Sequence, residues 1–200
     1  MNAGNAKPEE SITMNTAVKP PKEIARKTED VKNGKKLAPT ADRLALIEGL
    51  NHDLAGEYQA ILMYIHYSAK LTGPFRRELR SLFQAEIADE QGHAQFLSDK
   101  IAAMGGEPTT EPRAVSHVSQ PREMLDHALA AETQAIADYT ARIRQAEAIG
   151  EIGLKVSLEN QLADETRHKE EIERIIEGWY EVKPERPLTV NPLLDIGGQG

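Results

Sequence analysis

Two glutamate–histidine pairs carry the clearest chemistry in this chain. Glu90-x-x-His93 and Glu165-x-x-His168 each set a carboxylate and an imidazole three residues apart, which makes them neighbours on one helix surface. Each pair has another glutamate 33 residues upstream, Glu57 and Glu132. Four carboxylates and two neutral imidazoles form an oxygen and nitrogen donor set suited to iron or manganese and poorly suited to soft metals. Two divalent cations would balance the four carboxylate charges, and the chemistry open to such a pair is redox.

These residues belong to an internal repeat with an offset of 75 residues. His52-x-Leu54-Ala55-x-Glu57-x-Gln59-Ala60-Ile61-x-x-Tyr64 recurs as His127-x-Leu129-Ala130-x-Glu132-x-Gln134-Ala135-Ile136-x-x-Tyr139. Ala88-Asp89-Glu90-x-x-His93 recurs as Ala163-Asp164-Glu165-x-x-His168. One Glu-x-x-His pair is weak on its own, since most such pairs are solvated helix surface. Two pairs at a fixed offset, each with its upstream glutamate, are a pattern.

The elements that must hold them follow from the spacing of apolar residues. Thr40 is a plausible N-cap, and from Ala41 the period is helical, with Ile47, Leu50, Leu54, Ile61 and Ile65 as the apolar stripe. Glu57 falls on that stripe, so its carboxylate is expected to face the core. The first helix runs to about Lys70, where Thr72, Gly73 and Pro74 break it. A second helix follows at once, with Leu79, Phe83, Ile87, Leu97 and Ile101 inward, and stops at Gly105 and Gly106. Residues 105–120 read as an irregular connection. Pro121 opens a third helix striped by Leu125, Leu129, Ile136, Tyr139 and Ile143. Gly150 and Gly153 mark a short link to a fourth helix, carrying Leu158, Leu162, Ile172, Ile175 and Trp179. Short, long and short connections give two antiparallel hairpins and one crossover, an all-α four-helix bundle.

Four inward carboxylates need compensation, because a buried unpaired charge costs on the order of several kcal/mol. The helices offer no matching set of four inward Lys or Arg, so two metal ions are the economical solution. Tyr64 and Tyr139 lie seven residues after Glu57 and Glu132, on the same face. They are expected either to donate to a bridging carboxylate or to pack in the core. Glu86, four before Glu90, is either a further ligand on the way in or a solvated glutamate, and its repeat mate is Gln161. His52 and His127 point away from the glutamates they precede and are expected at the surface or at an interface. His66 and His117 fit no ligand pattern.

Composition sets the outer bounds. With 200 residues and no cysteine, the chain can bury a core without staples, and disulfides, thiolate zinc sites and rubredoxin-type iron sites are excluded. No run of about 18 apolar residues exists to span a membrane, no secretory signal is expected, and a cytoplasmic location fits. Residues 1–40 carry eight Lys and Arg against five Asp and Glu, so the remaining 160 residues hold −11 of a net −8. Nucleic acid is not the expected partner of so acidic a body. Residues 1–40 are expected to form a disordered N-terminal arm, 41–180 the bundle and 181–200 a flexible C-terminal tail.

At these residues the chain resembles the bacterioferritin and ferritin-like di-iron carboxylate superfamily over about residues 41–180. The resemblance implies a ferritin-like bundle whose long crossover joins the second and third helices. It implies Glu90 and Glu165 as bridging ligands, Glu57 and Glu132 as terminal carboxylates, and His93 and His168 as terminal imidazoles. The implied activity is a ferroxidase that oxidises Fe(II) with O2 or H2O2 in iron storage or detoxification. A rubrerythrin-like peroxidase, a manganese catalase or another di-metal oxidase would use the same residues, although without cysteine the usual rubredoxin electron donor is missing. Two iron ions are expected, or manganese in their place. Haem is not expected, because Gln91 stands where bacterioferritins place the haem-ligating methionine. A homo-oligomer is implied, as a dimer, a 12-mer or a 24-mer, and the proline- and glycine-rich residues 181–200 argue against the fifth helix of large cages. All six ligands lie in one chain, unlike the inter-subunit sites of typical Dps proteins. The segment Leu188–Ile196 is faintly similar to the tags that dock cargo inside encapsulin shells, and packing on a neighbouring subunit is the other reading.

Overall fold

The computed structural model describes Thr40–Trp179. Four helices occupy almost all of it: α1 Ala41–Lys70, α2 Arg76–Ala103, α3 Pro121–Ala148 and α4 Ile152–Glu177. The expected arm and tail, including the segment Leu188–Ile196, lie outside the described residues.

Local chemistry accounts for the boundaries. The Thr40 side chain accepts from the Arg43 N–H at 3.3 Å, capping α1. Gly73, Gly105 and Gly150 adopt φ of 84°, 84° and 78°, a left-handed region open to glycine at little cost. These three turns therefore end α1, α2 and α3 where the stripes stop. Pro121 takes the first turn of α3, where its missing N–H is not needed. One expectation fails: Gly153 is not in the link but inside α4, because Gly150 alone makes the turn.

α1 packs along α2, α3 along α4, and α1 also touches α3. The crossover is fastened along the first helix rather than left free. Arg113 N–H donates to Ala55 O at 2.9 Å, Tyr67 Oη to Ser116 O at 2.9 Å, and Lys70 Nζ to Val118 O at 2.8 Å.

The core is split in two. One apolar cluster holds Leu50, Leu54, Leu97, Ile101 and Leu158, and the other holds Tyr67, Leu79, Phe83, Leu125 and Ile172. Fully burying each such side chain contributes roughly 1.5–3 kcal/mol. Between them lies a polar layer. Ile65, expected in the first stripe, is 48 % exposed. A stripe with a repeat near 3.5 drifts about 20° per heptad round a helix, so by the last turns of α1 the core face has moved to Tyr64, Tyr67 and Ser68.

Candidate metal centre

The polar layer consists of the six residues singled out by the repeat. Glu57 comes from α1, Glu90 and His93 from α2, Glu132 from α3, and Glu165 and His168 from α4. None exceeds 7 % exposure, so water cannot solvate them as it would on a surface. They fall into two sets whose donor atoms lie within 4.8 Å of one another: Glu57, Glu90, His93 and Glu165, and Glu90, Glu132, Glu165 and His168. Glu90 and Glu165 are common to both. The arrangement is therefore two adjacent donor groups with a shared middle, as the repeat requires.

Both imidazoles turn Nδ1 toward the middle. His93 Nδ1 lies 2.8 Å from Glu165 Oε1, 3.5 Å from Glu90 Oε2 and 3.8 Å from Glu57 Oε2. His168 Nδ1 lies 3.9 Å from Glu132 Oε2. Glu90 Oε2, Glu132 Oε2 and His168 Nδ1 are buried without a hydrogen-bond partner, while His93 Nδ1 and Glu165 Oε1 meet only each other. Buried polar atoms are normally satisfied. Six buried donor groups converging on one interior, three of their atoms with no partner, are the pattern expected of ligands that would hold cations, and the all-oxygen-and-nitrogen donor set fits iron or manganese.

The opposite edge of each ring faces the other hairpin. His93 Nε2 is 3.8 Å from Asp164 Oδ2, and His168 Nε2 is 3.4 Å from Asp89 Oδ2. A proton on Nε2, on the side of these carboxylates, would leave Nδ1 to a metal once the Nδ1 contact of His93 with Glu165 is displaced. His168 Nε2 also lies 3.0 Å from Glu86 Oε2. Glu86 thus borders the centre on one side only, since its repeat mate Gln161 carries no charge.

The tyrosines also cross between hairpins. Tyr64 Oη donates to Glu132 Oε1, and Tyr139 Oη to Glu57 Oε1. Both rings pack in the apolar clusters, one of the two expectations for them; the other has each hydroxyl donate to a bridging carboxylate. Instead each phenol reaches the outer carboxylate of the opposite hairpin, because α1 and α3 face each other across the layer.

Burial raises the carboxyl groups of Glu57, Glu90 and Glu132 above the usual range. It raises both phenols as well. For His93, burial alone would lower the imidazole, but the hydrogen bond and charge of Glu165 and the charge of Glu57 outweigh it and lift it to about 9. Without a metal, the centre holds protons that a cation would displace.

The ferritin-like domain family model matches residues 47–179, nearly the whole described span. The chain belongs to the ferritin-like family. A ferritin-like, diiron-carboxylate protein of Bacillus anthracis str. Ames is 46 % identical, with a TM-score of 0.68 over 69 % of this chain and 99 % of that one. The bacterioferritin of Desulfovibrio desulfuricans, solved with its diiron site in different catalytic states, shares the fold at 24 % identity, with a TM-score of 0.65 over 70 % of this chain and 84 % of that one. No curated protein matches. This ferritin-like chain is an all-α four-helix bundle, and among its described residues no helix is long and apolar enough to cross a membrane.

The ferritin-like repeat does not account for a second buried polar cluster. Asp53, 3 % exposed, pairs with Arg142 Nε at 3.1 Å. Asp138 accepts from Arg113 Nη2 at 2.7 Å. His52 Nδ1 sits 2.8 Å from the same Nη2, so it acts as the acceptor and the ring proton is on Nε2. His52 is exposed, as expected. Asp53 and Asp138 have Ala128 and Met63 as repeat mates, so a reading guided by the repeat passes over them. Two glycines seven apart within a long helix, Gly49 and Gly56, are the available signal. A Cβ on Gly49 would stand 1.6 Å from Arg142 Nη1, and one on Gly56 3.2 Å from Arg113 Cζ. His66 and His117 stack on each other, with ring centroids 4.9 Å apart.

Proposed function

We propose that this protein is a di-iron ferroxidase of iron storage or detoxification, working as a homo-oligomer in the cytoplasm. The observation that supports it best is the convergence of six buried donor groups in two sets that share Glu90 and Glu165, with three of the donor atoms unpartnered. Glu57, Glu90, His93, Glu132, Glu165 and His168 hold the two Fe(II) ions, with Glu90 and Glu165 between them. Iron is here the substrate. Two Fe(II) give up one electron each, and O2 takes both with two protons and leaves as H2O2. With H2O2 as oxidant, two electrons and two protons yield two waters.

The chain's own residues set the geometry and the charge. The carboxylates favour the more highly charged product ion, since hard oxygen donors stabilise it. Tyr64 and Tyr139 fix the outer carboxylates through their hydroxyls, and Asp89 and Asp164 orient the imidazoles. Haem plays no part in this reading. An encapsulin shell, reached through the segment Leu188–Ile196, is the candidate partner beyond further copies of the chain.

Glu57→Ala removes one ligand and should abolish rapid Fe(II) oxidation while leaving helical circular dichroism intact. Oxidation at the parent rate in that variant would end this assignment. Many irons retained per native particle would support storage. Two per chain with steady peroxide consumption would replace storage with a rubrerythrin-like peroxidase, and manganese in the purified protein would point to a catalase.

A further inference from the structure

On its α1–α3 side the centre opens into a cavity whose outer part the ferroxidase reading does not use. Its inner end is formed by the carboxylates of the polar layer and Tyr139, and its outer end by Asp53, Arg113 and Asp138. The walls between are Gly56, Ala60, Ala131 and Ala135, the smallest side chains available. A second cavity lies outside it, bounded by His52, His127, Ser116 and Tyr67, and the two share Gln59, Arg113 and Ala131. The two cavities therefore adjoin beneath the crossover, with Arg113 lining both.

At the outer end of this cavity the charges are balanced. Asp53 and Asp138 face the guanidinium groups of Arg142 and Arg113, and Arg113 is further held by His52 O at 2.7 Å and by its own backbone bond to Ala55. A dication gains no net attraction there and would have to pass a fixed guanidinium. The α2–α4 side differs. Glu86, Asp89 and Asp164 border the outward edges of the two histidines. Their one cationic neighbour there among the described residues, Arg167, is 61 % exposed, so solvent screens it.

We propose that the α1–α3 cavity, with Arg113 at its mouth, is the way in for the oxidant, a neutral molecule the size of O2 or H2O2, while metal cations arrive across the acidic α2–α4 side. The inference rests on the ferroxidase reading. Small walls suit a molecule of two heavy atoms, and a neutral molecule is indifferent to the guanidinium that deters a cation. Arg113 is a gating residue, not a ligand.

The test uses the full chain with Gly56→Leu and Ala135→Leu, each of which fills the passage. Co(II) is titrated anaerobically and its loading rate followed by absorbance. Separately, anaerobically loaded Fe(II) is mixed with O2 or H2O2. Both variants should bind two Co(II) per chain at the parent loading rate, yet oxidise loaded Fe(II) at least about tenfold more slowly. Arg113→Ala, which removes bulk instead of adding it, keeps the proposal open to failure if the filled variants do not fold. It should let cumene hydroperoxide, excluded from the parent, oxidise loaded Fe(II). Parent-rate oxidation in the filled variants, slowed Co(II) loading with normal oxidation, or no gain for the bulky peroxide in Arg113→Ala would overturn the proposal. A parent chain that binds no Co(II) and no Fe(II) would instead sink the ferroxidase reading, and this inference with it.

Discussion

The two hairpins agree wherever the centre is built and differ at particular positions around it. Glu57, Tyr64, Asp89, Glu90 and His93 in the first have Glu132, Tyr139, Asp164, Glu165 and His168 as mates in the second. All ten side chains either border the polar layer or contact a residue that does. By contrast, Asp53 is matched by Ala128, Gly49 by Met124 and Glu86 by Gln161. The repeated residues set up a pair of equivalent donor groups. The unrepeated ones make the two sides of that pair chemically different, one carrying Asp53 paired with Arg142, the other an added Glu86 beside His168.

The largest expected effect tests the equivalence. Glu90→Ala and Glu165→Ala each delete a carboxylate common to both donor groups. Each should cut capacity from two Co(II) per chain to at most one, weakening the second site by about a thousandfold or more, roughly 4 kcal/mol. Anaerobic titration reads the stoichiometry. If one variant keeps both ions and the other loses them, the hairpins are not equivalent and the repeat is a poor guide to the centre.

A smaller effect separates the repeated acids from the unrepeated one. Burial lifts Asp53 from 3.8 to about 7, against the opposing pull of Arg142, and His93 stands at about 9 instead of 6.5. A raised folded-state pKa means that the folded chain holds the proton more tightly than the unfolded one. The contribution is complete below the unfolded value and is lost as pH rises through the folded value. For Asp53 the window is pH 3.8 to about 7, for His93 6.5 to about 9. The metal-free chain should therefore unfold at lower urea concentration at pH 8 than at pH 5, with Asp53 alone accounting for up to about 2.5 kcal/mol between those two pH values. Saturating Co(II) should remove the centre's share of that loss and leave Asp53's. Asp53→Asn should do the reverse. A midpoint in metal-free protein that is flat or rises with pH would contradict the assignment of buried, proton-holding groups.

Much of this architecture is legible in the sequence. Thr40, Pro121 and the three turn glycines act locally, through a cap, a fixed φ and a left-handed turn, so the helix ends and the crossover can be read residue by residue. The six donors are legible because the repeat fixes their spacing and the stripes fix their direction. What escapes such a reading depends on distance. Ile65 leaves the core face because a small drift per heptad accumulates along a long helix. The target of each tyrosine depends on which helices face each other, which no spacing within one helix records. The Asp53 cluster joins α1, α3 and the crossover through two arginines, Arg113 and Arg142, whose reach has no sequence period at all.

Gly49 offers the finest test of the difference between the hairpins. In the second hairpin the matching position is filled by Met124, which is fully buried. In the first, the space above Gly49 is taken by Arg142, whose Cζ would lie 2.4 Å from an added Cβ. Ala favours a helix over Gly by about 1 kcal/mol, so propensity alone makes Gly49→Ala stabilising. The methyl must instead push the guanidinium aside and separate Nε from Asp53, now 3.1 Å away. Losing one partner of a buried ion pair costs about 3–5 kcal/mol when the remaining charge cannot be neutralised. Asp53 can be neutralised, since its carboxyl titrates near 7. At pH 5 the proton is on and the lost pair costs little, so propensity should win and Gly49→Ala should be neutral or slightly stabilising. At pH 8 the proton is off, and the variant should be destabilised by about 1–2 kcal/mol in urea unfolding. Asp53→Asn should erase this pH dependence in the double variant. If Gly49→Ala is equally stable relative to the parent at both pH values, Arg142 is not compensating Asp53, and the glycine is there for another reason.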